Sequence, residues 1–532
     1  MKVDDIKYSV VDDAALRFKL PHDAANFALT YVEKLEAISK TPEETELIAY
    51  WGLDEMTFLA ETFNIKNLPS PMLRDYKWPG LFTPFEHQKT TASFLTLRRR
   101  AFCFNEAGTG KTSSVIWAAD YLMNLGLVKR VLVVCPITIM YSAWQADVFK
   151  TAMHRSVGVA YGPAEKRKKI INGEYDFIVT NYDGVGILHD EIKRGGFDLI
   201  VVDEANAYKT VTTQRWKVLA HLIQPTTRLW LLTGTPASQS PMDAFGLARL
   251  VAPNKVPKYV TSWRDKVMYQ VSKFRWIPKP SSKDTVFNAL QPAIRFSKAE
   301  CLDLPEVLYQ TREVPLSLQA ARYYKKLRDE MLIQAAGEVI SAVNAAARLS
   351  KLLQVSGGAV YSDTKEVVEF DIAPRLAALM EVLEETDNKV LVFIPFTHTI
   401  ELVSKFLHGQ KVTNEIINGD VSATQRSNIV SRFQTQPDPR VLVIQPQAAS
   451  HGVTLTAADT IVFWSPVMSV ETYLQCIARI DRVGQKNRMT VVHLQGSDVE
   501  KKMYKMLQSK IDSHEKLVSL YKAELGMEEN YE

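Results

Sequence analysis

Short runs of aliphatic and β-branched residues, each closed by a turn and followed by helical spacing, recur along the chain in two blocks. The first block holds "RAFCF" (100–104), "RVLVVCP" (130–136), "YDFIVT" (175–180), "FDLIVVDE" (197–204) and "RLWLLTGTP" (228–236). The second holds "NKVLVFIP" (388–395), "RVLVIQP" (440–446), "DTIVFW" (459–464) and "MTVVHL" (489–494). Runs so continuously apolar are covered on both faces, which predicts two α/β lobes, each a parallel sheet flanked by helices. Ligands of such sheets lie beyond the carboxyl ends of the strands, so chemistry is expected just after each run. Residues 254–375 differ: basic and aromatic "SKFRWIPKPSSKD" precedes long amphipathic sequence, predicting helical protrusions and a linker. Residues 1–80 read as a small, mostly helical region and 496–532 as a brace helix, leaving the lobes at 81–253 and 376–495.

Composition changes this picture little. The 532 residues are 46% hydrophobic and 23% charged, as in soluble globular proteins, and the net charge of +4 permits a polyanionic partner without requiring one. Cys103, Cys135, Cys301 and Cys476 are far apart with no CxxC pair, so neither a zinc site nor a disulfide framework is expected. The acidic N-terminal stretch lacks a signal-peptide core, and no 18-residue apolar run occurs. A soluble, cytoplasmic protein without a membrane partner is expected.

Four stretches of the first block carry candidate chemistry. "NEAGTGKT" (105–112) lies between a strand and a helix. Gly108 and Gly110 let the backbone fold around phosphate, with Thr109 between them; Lys111 brings charge to the β- and γ-phosphates, and the Thr112 hydroxyl suits Mg²⁺. "LIVVDEANAYK" ends a strand on Asp203 and Glu204, suited to holding Mg²⁺ through water and to polarising an attacking water. Gln88 of "TPFEHQ" has the paired donor and acceptor to read an adenine edge. Thr233, Gly234 and Thr235 of "LLTGTP" are placed to sense the γ-phosphate and relay its state. In the second block, "LQCIARIDRVGQ" (474–485), taken as helix, puts Arg479 and Arg482 on one face with Gln475.

Together these motifs resemble the SNF2 family of superfamily 2 helicase-like ATPases. The resemblance runs from about residue 80 to 495 through NEAGTGKT, "LVVCPITIMYSAW" to Trp144, DEAN, LLTGTP, "INGDVSATQRSNIVSRF" (417–433), GVTLTAADTIV and RIDRVGQ. It implies two tandem RecA-like lobes closing over one ATP with Mg²⁺, with Arg479 and Arg482 as arginine fingers supplied in cis and Gly452 in the coupling segment. Asn105 stands where the family has Asp, Asn206 where it has His, and Asp481 where it usually has His. The "ASQSP" after GTP is closer to the annealing-helicase branch, and a chain this compact looks like a bacterial or phage member.

The resemblance also implies DNA, double-stranded or forked, as the partner of a chain acting as a monomer. Contacts are expected at Pro136 with Trp144, at Thr180 and Asn181 of "TNYD", and at Thr454 and Thr456. "LRRR" (97–100), "EKRKK" (165–169) and "KFRWIPKP" (273–280) are further basic candidates, each also readable as a solvated face. The expected activity is DNA-stimulated ATP hydrolysis driving translocation on duplex DNA and remodelling of protein–DNA complexes or forks. Strand annealing or branch migration, a nucleotide-gated scaffold with little turnover, and RNA remodelling stand as alternatives.

Overall fold

The computed structural model describes residues 5–234, 236–237, 240–272, 275–301, 307–335, 342–361, 367–449, 454–482 and 484–509. They fall into two compact units, Met1–Leu302 and Asp303–Glu532.

The first unit opens with an antiparallel sheet of β1 (Tyr8–Val11), β2 (Ala15–Pro21), β3 (Leu35–Lys40) and β4 (Glu44–Tyr50), in the order β1-β2-β4-β3. This corrects the expectation of a mostly helical region. In β2, Leu16, Phe18 and Leu20 are buried while Arg17 and Lys19 are exposed. That two-residue alternation gives a strand one apolar face, as a helical period could not. Helices His22–Tyr31 and Leu53–Phe63 share the sheet's core.

The first α/β lobe is a parallel sheet of β5 (Arg100–Cys103), β6 (Val131–Cys135), β7 (Val157–Val159), β8 (Phe177–Asn181), β9 (Leu199–Val202), β10 (Arg228–Leu232) and β13 (Ala293–Ile294). Their order is β13-β5-β10-β9-β6-β8-β7. The expected runs supply the five inner strands, with β6, β8 and β9 wholly buried. The edge strands β7 and β13 are too short, at three and two residues, to show as runs. Between β10 and β13 lie helix Val260–Val267 and a hairpin of β11 (Met268–Ser272) and β12 (Arg275–Pro278), where helical protrusions were expected.

The second unit holds β14 (Val307–Glu313), a small ribbon of β15 (Ala359–Tyr361) and β16 (Val367–Glu369), then β17 (Lys389–Phe393), β18 (Asn414–Ile417), β19 (Val441–Ile444), β20 (Ala458–Phe463) and β21 (Met489–Gln495). Its main sheet runs β14-β21-β20-β17-β19-β18 and is parallel throughout. The stretch 254–375 therefore supplies an edge strand to each large sheet, besides helices such as Leu318–Ala335 and Ala342–Gly357.

Helix Asp498–Gln508 follows β21, and residues 510–532 of the expected brace lie outside the described residues. Glu500, fully buried, accepts from Arg375 at 2.6 and 2.7 Å and from the Gly496 and Ser497 amides, tying this helix to helix Ala373–Glu384. Among the described residues no helix is long and apolar enough to cross a membrane.

Candidate active site

Two strand ends of the first sheet, β5 and β9, carry the candidate chemistry, with β10 between them. After Cys103 the chain turns through residues 104–110 into helix Lys111–Asn124. Gly108 and Gly110 take φ of 90° and 80°. A Cβ on Gly110 would lie 2.0 Å from Gln88 Nε2, so both backbone conformation and close approach require glycine there. The first amides of the helix have no intrahelical partner, and its positive end favours an anion. Lys111 Nζ donates to Asn105 O at 2.8 Å and Thr109 Oγ1 to Glu106 O at 2.8 Å, folding the loop on itself.

Two side chains from the preceding helix and one within the loop hold it in shape. His87 Nε2 donates to Thr109 O at 2.8 Å. Gln88 Nε2 donates to the same carbonyl at 3.3 Å while its Oε1 accepts from Phe85 N at 3.0 Å. Both ends of the amide expected to read adenine are thus engaged within the protein. Asn105 is buried, donates to Thr91 Oγ1 at 2.8 Å and accepts from Phe296 N at 3.0 Å. An amide donates and accepts at once, which an ionised Asp cannot do. This accounts for the departure at position 105.

At the end of β9, Asp203 Oδ1 accepts from Glu204 N at 2.9 Å and Oδ2 from Trp144 Nε1 at 3.0 Å. Burial raises the Asp203 carboxyl above its usual range, while the Lys111 charge and these two donors pull it down. Glu204 sits in the left-handed region, φ 49° and ψ 53°. For a non-glycine residue this conformation persists only where the surroundings impose it. Tyr182 supplies part of that constraint: its hydroxyl donates to Asp203 O at 2.8 Å and Glu204 O at 3.1 Å. Burial pushes its phenol well above the ordinary value, so the donor stays protonated.

After β10, Thr233 is buried and its amide donates to Cys103 O at 3.1 Å. A Cβ on Gly234 would lie 3.4 Å from Ala107 N, so this turn abuts the phosphate loop. Thr235 lies outside the described residues. Lys111, Thr112, Asp203, Glu204, Thr233 and Gly234 all belong to the first unit.

Arg479 and Arg482 belong to the second. Helix Val470–Ile477 ends before either, which corrects the expectation of a shared helical face. The chain tightens instead: Arg479 N and Ile480 N donate to carbonyls three residues back, and Arg482 N to Ile480 O. Gln485 fixes this turn, its Nε2 donating to Ala458 O at 2.8 Å and its Oε1 accepting from Lys486 N and Asn487 N at 3.0 Å. Arg479 is 3% exposed, its Nε donating to Gln475 O at 2.7 Å, whereas Arg482 reaches Thr454 Oγ1 at 2.9 Å. Gln475 Nε2 donates to Glu471 Oε1 at 3.4 Å. Gly452 lies outside the described residues.

The expected DNA contacts divide by burial. Pro136 is buried, Trp144 is fully buried against Asp203, and Thr180 is fully buried with its hydroxyl on Ala160 O at 3.3 Å. Asn181, 5% exposed, accepts from Arg167 at 3.0 Å. Thr454 is exposed, and Thr456 Oγ1 accepts from Gln434 at 3.3 Å. Sequence reasoning assigned no role to His87 or Gln485, and placed Tyr182 only within the "TNYD" candidate for DNA contact, although all three stand inside quoted motifs.

The family model for the SNF2-related domain matches residues 87–359, and that for the helicase conserved C-terminal domain matches residues 374–484. The chain belongs to the SNF2-related family. Relatives include "Chromodomain-helicase-DNA-binding protein 1-like" of Mus musculus, 26% identical over 76% of this chain and 46% of the relative. "Putative protein p41" of Acyrthosiphon pisum secondary endosymbiont phage 1 is 25% identical over 77% of this chain and 92% of its own length. The chain spans about half the length of the animal relatives, 46% of the mouse protein and 54% of a Drosophila melanogaster one. Among solved structures, the "Sulfolobus solfataricus SWI2/SNF2 ATPase core in complex with dsDNA" is 21% identical with a TM-score of 0.41, covering 81% of this chain and 92% of that one. The SNF2-related match thus takes in the phosphate loop, Asp203 and Glu204, while the second match takes in both arginines.

Proposed function

We propose that this SNF2-related chain is a DNA-stimulated ATPase that translocates on double-stranded DNA and remodels protein–DNA complexes or forks. The observation that carries the reading is the pairing of two strand ends, a glycine-bounded phosphate loop with Lys111 and an Asp203–Glu204 step held in a left-handed turn. In this reading the loop and Lys111 bind the phosphates of ATP, Glu204 orients and deprotonates the attacking water, and Arg479 and Arg482 offset charge on the transferring phosphate.

The donor set fits a magnesium ion. Thr112 offers a hydroxyl and Asp203 a carboxylate whose oxygens each already accept one hydrogen bond, leaving lone pairs for water-mediated ligation. Bound there, the ion would offset phosphate charge. DNA contact is assigned to exposed loop positions such as Thr454 and to backbone at the strand ends, because Trp144 and Thr180 are turned inward. Contacts of this kind are mostly to phosphates, so binding weakens steeply with salt and carries little sequence preference.

Steady-state ATP hydrolysis tests the reading, measured alone and with duplex, forked and single-stranded DNA and RNA at two salt concentrations, with Lys111→Ala as background. Stimulation by duplex or fork that the variant lacks is expected. Hydrolysis no faster than the variant's with every nucleic acid sinks the motor and leaves a nucleotide-gated scaffold.

A further inference from the structure

Among the described residues, the hairpin β11–β12 has no partner in either large sheet and its strands pair only with each other. Two-stranded ribbons are marginal in water unless anchored. Here the anchor is on one face: Met268 is buried, and Trp276 packs on the lobe core with Arg264 4.3 Å above its ring. The other face turns outward. Tyr269 lies opposite Ile277 on that face and is 44% exposed, and Val271, extra residue of a bulge, is 52% exposed. At the far end of helix Val260–Val267, which leads into β11, Tyr259 is 61% exposed with Lys258 Nζ 5.5 Å from its ring centre.

The charge along this stretch of sequence is one-sided. Residues 254–290 carry eight lysines and arginines against two aspartates, whereas residues 1–68 carry thirteen acids against seven bases. A basic surface with outward aromatic rings is what successive bases need from a stacking platform: cations follow the backbone and ring faces take the bases. Duplex DNA keeps its base faces stacked inside the helix, so outward aromatic rings have no base face to stack on there. Lys273 and Phe274, between the two strands, lie outside the described residues.

We propose that the outer face of hairpin β11–β12, with Tyr269 and Val271, and the Lys258–Tyr259 pair at the far end of the helix that leads into it, bind single-stranded nucleic acid by base stacking. This rests on the DNA-stimulated reading above and deepens it, because a duplex carrying a single-stranded branch becomes the preferred substrate class.

The test uses the full chain and a fluorescent oligothymidine followed by anisotropy. Tyr269→Ala, and Tyr259→Ala with Tyr269→Ala, are expected to weaken oligothymidine binding about 10-fold or more, the loss typical of one stacked base. Tyr269→Phe retains binding, and blunt-duplex affinity changes little in all three. Because Tyr269 and Tyr259 face solvent, circular dichroism of the variants is expected to match the parent. Oligothymidine binding that both alanine variants retain overturns the proposal. So does an equal loss of duplex binding, which would mark a general phosphate surface, and so does an outer face that takes protein segments but no oligonucleotide. Duplex-stimulated ATP hydrolysis, measured on the same preparations, separates failure of the motor reading from failure of the hairpin assignment.

Discussion

Tyr182→Phe removes one hydroxyl and leaves the ring, so it isolates the contact that holds the Asp203–Glu204 turn. The phenol donates to two carbonyls, at 2.8 and 3.1 Å, from a half-buried position. Losing these hydrogen bonds costs ~1–3 kcal/mol. The left-handed backbone of Glu204 holds a similar ~1–3 kcal/mol of strain. The two quantities are comparable, so removing the donor takes away much of what opposes relaxation of Glu204. A shift of the carboxylate by about 1 Å is enough to lower turnover ~100-fold. We therefore expect kcat for DNA-stimulated ATP hydrolysis to fall between about 10- and 100-fold. KM and the affinity for a fluorescent ATP analogue should hold, because Tyr182 makes no contact with the phosphate loop among its hydrogen bonds. The assay is steady-state hydrolysis paired with analogue binding. A variant with parental kcat, or one whose lost turnover is matched by lost nucleotide affinity, refutes the positioning role.

Three other perturbations follow from buried groups. Arg375→Ala leaves Glu500, 0% exposed, without its cation, and should destabilise the second unit by about 3–5 kcal/mol in urea unfolding; a loss below about 1 kcal/mol would show the pair to be incidental. His493 is buried beside Tyr473, and burial lowers it from 6.5 to about 4. Its folded value lies below the unfolded one, so the stability is present above about pH 6.5 and is lost as pH falls toward 4, by ~3 kcal/mol in full. His493→Gln should flatten that dependence in unfolding curves, and an unchanged slope would assign it to other groups. Asn105→Asp restores the residue the family pattern carries but removes the donor to Thr91, and should cost ~1–3 kcal/mol in thermal unfolding. An equal or higher melting temperature would show that the amide is not needed.

What could be read from the sequence followed from strand length and covering. β6, β8 and β9 are buried on both faces, so each shows as an unbroken apolar run. β14, "VLYQTRE", alternates at the edge of its sheet and sits in a stretch dominated by amphipathic helices, and it gave no run to recognise. The N-terminal sheet was missed although the alternation in "ALRFKLP" is clear, because helix His22–Tyr31, of similar polarity, follows β2 directly and interrupts the strands. The hairpin β11–β12 was hidden by the same mixture of bases and aromatics that makes it a candidate binding surface.

The site divides along a similar line. Gly110, Lys111, Asp203 and Glu204 could be picked out because phosphate chemistry demands those residue types beside strand ends, and local order is enough to show them. The residues that support them are fixed by pairings across the sheet. Trp144 meets Asp203 from 59 positions away and Tyr182 from 21, and neither distance leaves a local pattern. The strand-end rule placed Trp144 and Thr180 at the correct end of the sheet but did not say which way each side chain turns. Both turn inward, and so does Asn181 for the most part. A Trp after a buried strand is therefore weak evidence for a DNA contact, since burying its ring and giving its N–H a carboxylate satisfies both halves of the side chain at once. On the proposed reading, the surface left for nucleic acid lies among exposed loops such as that of Thr454 and the hairpin β11–β12.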